Sequence, residues 1–121
     1  ELAVIMSLYR NDKVEFLQKC IESLLNQSYQ DFDLYIQFDG PIDESCIRYL
    51  KNIKDDRVII RERNENRGLA YSLNELLEIV LNKRYEYIAR MDADDICVLD
   101  RFEKQLNFMI ENINVDIRGL Y

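Results

Sequence analysis

An aromatic and apolar run, Tyr85-Glu86-Tyr87-Ile88-Ala89-Arg90-Met91, ends in Asp92-Ala93-Asp94-Asp95. If Tyr85–Met91 is a strand, its alternation puts Asp92 and Asp94 on one side and Ala93 on the other. Two carboxylates about 4 Å apart repel by roughly 4 kcal/mol at an effective dielectric of about 20. A fold tolerates that if one is protonated, if a cation sits between them, or if the pair splays into water. A hard divalent cation takes oxygen ligands and leaves positions open for a substrate's phosphates. The competing readings are structural. Asp95 or Asp100 can cap the next helix, and Arg90, on the same face of an extended chain, can neutralise one charge without a metal. Spacing alone leaves both open. An EF-hand is excluded: Asp92, Asp94 and Glu103 hold its positions 1, 3 and 12, but Ile96 takes position 5 and Cys97 stands where the turn needs glycine.

Other residues suited to binding follow strand-like runs. Tyr9 offers a face for stacking, Asp39 can accept a hydrogen bond from a ring N–H, and Arg67 can donate to a base carbonyl or a phosphate. A metal at Asp94 would screen a diphosphate and make it a better leaving group. Each has a plainer reading. Tyr9 is one of eight tyrosines and can shield a sheet edge, Asp39 can form an Asx turn before Gly40-Pro41, and Arg67 can be a solvated loop charge. Their joint placement after four strands favours one shared site. No GxGxxG or GxxxxGK[ST] occurs, so neither the usual dinucleotide turn nor a P-loop is present. The chain has no histidine, which removes Ser-His-Asp and Cys-His catalysis and the usual zinc sites.

The elements that must position these residues alternate. Leu2-Ala3-Val4-Ile5-Met6-Ser7 reads as a strand buried on both faces. Asp12 with Glu15 predicts a capping box for a helix whose Phe16, Leu17, Cys20, Ile21, Leu24 and Leu25 form one stripe. Strand Leu34–Phe38 stops at Asp39-Gly40-Pro41 and precedes a helix over about Asp43–Lys54. Strand Arg57–Arg61 and a polar stretch, Arg63–Gly68, lead into a helix carrying Leu69, Leu73, Leu76, Leu77, Val80 and Leu81. After the Tyr85–Met91 strand, a helix from about Leu99 to Asn112 carries Phe102, Leu106, Met109 and Ile113, and Val115-Asp116-Ile117 begins a fifth strand. The β-α alternation with short connections predicts an α/β fold, a doubly wound, mostly parallel sheet with helices on both faces. Ligands of such sheets gather at the carboxyl ends of the strands.

Bulk properties fit one domain. The 121 residues can bury roughly 65% of their unfolded surface, and 48% hydrophobic with 32% charged content is ordinary for a globular chain. A net charge of −7 disfavours nucleic acid. No apolar run approaches the ~20 residues of a membrane span, and no signal peptide is expected. Cys20, Cys46 and Cys97 lack a CxxC pair and read as free thiols in a reducing, cytoplasmic compartment. The start at Glu1 and the end at Gly119-Leu120-Tyr121 in mid-pattern read as a piece of something longer, with dimerisation through a truncated sheet edge as one consequence.

These residues resemble the inverting, family 2 glycosyltransferases of the GT-A fold. Ser7-Leu8-Tyr9-Arg10 resembles the Thr/Ser-x-Tyr-Asn end of the family's first strand, with Arg10 replacing asparagine. Ser23-Leu24-Leu25-Asn26-Gln27-Ser28-Tyr29-Gln30-Asp31-Phe32-Asp33 is similar to the segment S-x-L-x-Q-[ST]-[YF]-x-x-[FW]-[ED]. Asn66-Arg67-Gly68-Leu69-Ala70 with Asn74 resembles N-x-G-x-x-x-A-x-N, and Met91-Asp92-Ala93-Asp94-Asp95 resembles the DxD element. Arg101-Phe102-Glu103-Lys104-Gln105-Leu106 is like the helix start in enzymes that make bacterial surface polysaccharides. The resemblance implies that Ser7, Tyr9, Asp39 and Arg67 hold the base, typically uracil, of a nucleotide-sugar donor. It implies that Asp92 approaches ribose and metal, and that Asp94 coordinates Mn²⁺ or Mg²⁺ bridging the diphosphate. The acceptor would be a glycan or lipid-linked glycan, met in the cytoplasm or at the inner face of the membrane. The family's general base is an Asp or Glu beyond the fifth strand, so no catalytic base is expected within these 121 residues and the piece alone is expected to be inactive. The competing class is a non-catalytic α/β module that binds a nucleotide or other ligand in the same crevice.

Overall fold

A computed structural model describes residues 1–111. Four strands, β1 (Leu2–Leu8), β2 (Phe32–Phe38), β3 (Val58–Arg61) and β4 (Tyr87–Arg90), alternate with α1 (Val14–Leu25), α2 (Glu44–Lys51), α3 (Leu69–Leu81) and α4 (Arg101–Glu111). The sheet runs β3-β2-β1-β4 and every pairing is parallel. The expected fifth strand at Val115–Ile117, and Ile113 of the last helix, lie outside the described residues.

β1 shows why the sheet is covered twice. Leu2, Val4, Met6 and Leu8 pack in one core with Leu17, Cys20, Ile21 and Leu24 of α1, Cys46 and Leu50 of α2, and Phe102 and Leu106 of α4. Ala3 and Ile5 point the other way, onto Leu76 and Val80 of α3. A strand with two buried faces reads as an unbroken apolar run, which is the pattern of residues 2–6. The result is three layers: α1, α2 and α4 on one face, the sheet, and α3 on the other. The doubly wound parallel sheet expected from the sequence is therefore the observed fold.

Several boundaries differ for identifiable reasons. Asp12 does not cap α1: Lys13 occupies the cap position with no side-chain bond, and Asp12 Oδ2 accepts from the backbone N–H of Tyr9 at 2.9 Å. The carboxylate thus closes the turn after β1 instead of opening the helix. α2 stops at Lys51, three residues earlier than periodicity suggests, and Asp43 caps its start by accepting from Ser45 N–H at 3.1 Å. β4 ends at Arg90, so Asp92 and Asp94 do not extend the strand.

Chain order reverses between β1 and β4, which are neighbours although five elements, α1 to α3 with β2 and β3, separate them in sequence. That reversal leaves a crevice outside the carboxyl ends of the strands.

Candidate nucleotide-binding site

A cleft of about 470 Å³ opens at this reversal and is lined by Ser7, Tyr9, Asp12, Asp39, Asn66, Gly68, Leu69, Asp92, Ala93 and Asp94. Its volume lies in the range of small-molecule and cofactor sites. Ser7 is the last but one residue of β1, on the α3 side, and Tyr9, 42% exposed, follows the strand. β1 is a central strand, so Tyr9 does not shield a sheet edge.

Asp39 follows β2, and its own N–H continues the ladder to Leu8 O at 2.7 Å. Its carboxylate is buried, with the side chain only 4% exposed. It does not form a local Asx turn. Oδ1 accepts from Arg67 N–H at 2.7 Å and from the Arg63 guanidinium, while Gly68 N–H lies 3.0 Å from Oδ2 and 3.2 Å from Oδ1. Gly68 is the N-cap of α3 with φ +95°, so the carboxylate sits against a helix N-terminus, where backbone N–H groups favour negative charge. Burial pushes the Asp39 pKa up, but the Arg67 N–H, Arg63, the Gly68 N–H and Ser72 outweigh it and hold the acid below the ordinary carboxylate value.

The acidic segment is a turn rather than a strand end. Asp95 N–H donates to Asp92 O at 3.1 Å, and Asp92 N–H donates to Asp95 Oδ2 at 3.2 Å. Asp95 therefore closes this turn. Ala93 is buried while Asp92 and Asp94 are exposed, so the expected opposition of Ala93 to the two aspartates holds in a different backbone. Arg90 does approach Asp92, at 3.3 Å, across an exposed pair that contributes little by itself.

Residues 23–28 hold the loop that follows. Gln27, 1% exposed, donates through Nε2 to Val98 O at 2.6 Å and accepts at Oε1 from Phe102 N–H at 3.2 Å. Ser23 Oγ accepts from Cys97 N–H at 3.0 Å, Ser28 N–H donates to Leu99 O at 2.8 Å, and Ser28 Oγ meets Glu103 at 2.8 Å. Cys20 Sγ lies 3.4 Å from Asp92 O. The segment singled out in the sequence is thus a clamp that ties the end of α1 to the acidic turn and to the start of α4.

Four of the expected site residues, Ser7, Tyr9, Asp39 and Asp92, line the cleft together with Asp94. Arg67 does not line it and meets it only through its backbone N–H, which bonds Asp39. Its guanidinium is turned to Glu65 at 2.8 Å and to the Tyr71 hydroxyl at 3.2 Å, an exposed loop position. Sequence reasoning missed Asp12, which was read as a helix cap, and Arg63, which has no motif around it. Asp12 lies at the cleft wall beside Tyr9 and Asp94. Burial raises its pKa, the Tyr9 N–H opposes that, and repulsion from Asp94 and Asp92 adds to the rise.

Among the described residues no three His, Cys, Asp or Glu side chains form a ready-made metal cage. Asp92 and Asp94 nevertheless supply hard, exposed oxygen donors on the wall of the cleft. That donor set fits an ion of the Mg²⁺ type, which keeps waters and binds through one or two carboxylates plus substrate phosphates. It does not fit a closed zinc site.

Comparison with known proteins follows the same lines. The sequence profile of Glycosyl transferase family 2 matches residues 3–118. The amylovoran biosynthesis glycosyltransferase AmsE of Erwinia amylovora is 35% identical over 97% of this chain and 43% of its own length. The O-antigen biosynthesis glycosyltransferase WbnJ of Escherichia coli is 37% identical over 92% of this chain and 42% of its own. The chain therefore spans less than half the length of these relatives. The crystal structure of S. aureus TarS 1–349 in complex with UDP-GlcNAc superposes with a TM-score of 0.78 at 17% identity, covering 93% of this chain and 32% of that one. The profile match and the relatives make this chain a member of glycosyl transferase family 2, and its sheet has the GT-A fold.

Proposed function

We propose that residues 1–121 are the donor-binding part of an inverting, metal-dependent glycosyltransferase that uses a UDP-sugar in the synthesis of a bacterial surface polysaccharide. The observation that carries this reading is the convergence of Ser7, Tyr9, Asp39, Asp92 and Asp94 on one cleft. A UDP complex and a UDP-GlcNAc complex of the structural neighbour TarS support a nucleotide-sugar donor. The names of the amylovoran and O-antigen relatives support the polysaccharide.

The hydrogen bonding of Asp39 favours uracil over guanine. Oδ1 already accepts from Arg63 and Arg67 N–H, so the remaining accepting capacity is on Oδ2. Uracil presents a single N–H between two carbonyls and needs one acceptor. Guanine presents N–H groups side by side and is best met by both carboxylate oxygens. Tyr9 would stack on the ring, and Asp92 would reach the ribose.

Asp94, with Asp92, would hold Mn²⁺ or Mg²⁺. Such an ion supplies charge stabilisation to a diphosphate leaving group. In this reading the carboxylate that deprotonates the acceptor hydroxyl lies beyond residue 121. The 121-residue chain then binds donor without transferring it. The three buried, unpaired cysteines fit an enzyme of a reducing compartment, the cytoplasm.

Calorimetry with UDP, with and without Mn²⁺, tests the assignment. Metal-dependent binding that disappears in Asp94→Ala is expected. Binding in neither condition would leave a module for some other ligand.

A further inference from the structure

Arg63 lines no part of the cleft, yet each of its three side-chain nitrogens is bonded. Nε donates to Glu65 O at 2.9 Å, Nη1 to Glu75, and Nη2 to both Asp39 and Ser72 Oγ, the latter at 2.6 Å. Its guanidinium carbon lies 5.0 Å from the ring centre of Tyr71. Glu75, Ser72 and Tyr71 all belong to α3, whereas Asp39 follows β2. The Arg63 side chain is 15% exposed and that of Asp39 is 4% exposed, so the pair is shielded from water and bulk screening is weak.

The consequence is directional. Arg63 and the Arg67 N–H both take Oδ1, and no other side-chain cation touches Asp39 among the described residues. The backbone donors hold the carboxylate, the Arg67 N–H on Oδ1 alone and the Gly68 N–H within reach of both oxygens. Arg63 adds a charged donor to Oδ1, the oxygen that the Arg67 N–H already takes. We propose that Arg63 is a positioning residue for base recognition: by occupying Oδ1 from its anchor on α3, it leaves Oδ2 as the single acceptor that Asp39 offers to the base. Lysine cannot do the same, because one ammonium cannot span Asp39, Glu75 and Glu65 O at once, as a planar fork of donors can. This inference rests on the assignment of Asp39 to the base.

The test uses the protein that carries this chain and two ligands, UDP and UDP methylated at uracil N3, titrated by calorimetry with folding checked by circular dichroism. The unmodified protein is expected to prefer UDP tenfold or more. Arg63→Gln is expected to weaken UDP about tenfold and the methylated ligand less than threefold, so that the preference shrinks. A merely structural role would lower both affinities together and leave their ratio intact. Arg63→Lys recovers only part of the ratio. Glu75→Gln leaves Asp39's own contacts in place, loosens only the far end of Arg63, and gives a smaller shift in the same direction; it carries the test if Arg63→Gln does not fold. Retention of the full preference in a folded Arg63→Gln, or in Glu75→Gln where Arg63→Gln does not fold, overturns the role of Arg63 while leaving the base assignment standing. Equal binding of the two ligands by the unmodified protein overturns the base assignment itself, and the inference falls with it.

Discussion

Gly40 and Gly68 both have positive φ, at +83° and +95°, but only one of them is crowded. A Cβ on Gly40 would stand 2.9 Å from Asn66 N and 3.1 Å from Asn66 Cα, whereas a Cβ on Gly68 meets nothing within 4 Å. Alanine at either position bears backbone strain of about 1–3 kcal/mol. At Gly40 it also collides with backbone, which cannot swing aside as a side chain can, and overpacking of that kind costs about 1–3 kcal/mol more. The loss of unfolded-state entropy that accompanies Gly→Ala, about 0.4–1 kcal/mol in favour of folding, is common to both and cancels in the comparison. Gly40→Ala should therefore be less stable than Gly68→Ala by about 1–3 kcal/mol. Urea denaturation of the two variants, with the midpoint and slope fitted separately, measures the difference. Because Asn66 lines the cleft, the Gly40 variant should also bind UDP more weakly than the unmodified chain. Equal stability of the two variants, or a less stable Gly68→Ala, would refute the proposed contact between the end of β2 and the loop before α3.

Further expectations concern individual side chains. Asp39→Asn should lose on the order of 3 kcal/mol at neutral pH, because it breaks a buried, hydrogen-bonded pair. Its pH dependence has a definite sign. The folded-state pKa of Asp39 is lowered, so its stabilisation is present above the unfolded carboxylate value of about 3.9 and is lost as pH falls through the folded value. Denaturation curves of the two proteins should accordingly converge below about pH 4, and parallel curves would contradict the assignment. Gln27→Leu removes the partners of Val98 O and Phe102 N–H, each about 1–3 kcal/mol when left buried and unpaired. It should lower stability and weaken metal-dependent UDP binding together; an unchanged affinity would show that the clamp does not reach the acidic turn. Burial, reinforced by Cys97 and the three nearby aspartates, pushes the Cys20 thiol up to about 12. Iodoacetamide at neutral pH should leave Cys20 unmodified in the native chain and alkylate it in urea, as mass spectrometry of the peptide would show.

The sequence was most legible where one physical pressure dominates. A strand covered on both faces has to be apolar throughout, and residues 2–6 are; helices covered on one face have to show a stripe, and α1, α3 and α4 do, except that Phe16, Leu69 and Leu81, in the end turns of α1 and α3, run past the sheet and are exposed. The carboxyl-end placement of Asp39 and of the acidic turn followed from topology alone. What the sequence hid was the direction of side chains in loops, where partners come from distant elements. Asp12 near Glu15 has the spacing of a capping box, yet the Tyr9 N–H is the nearer donor once the chain turns. Arg67 sits next to a glycine that faces the cleft, but Glu65 and Tyr71 draw its guanidinium away. Arg63, in a polar stretch with no periodicity, gives no signal until Asp39 and Glu75 are seen on either side of it. The clamp formed by Ser23, Gln27 and Ser28 was visible only as a motif, since its partners lie more than seventy residues away.

The ion is the pivot of the functional reading, and Mn²⁺ relaxation in the NMR spectrum tests it most directly. With UDP present, substoichiometric Mn²⁺ should broaden the amide signals of Asp92, Ala93, Asp94 and Asp95 first and most, Asp12 next, and leave α2 sharp. Broadening centred elsewhere, or no selective broadening at the acidic turn, would contradict a metal-assisted diphosphate site.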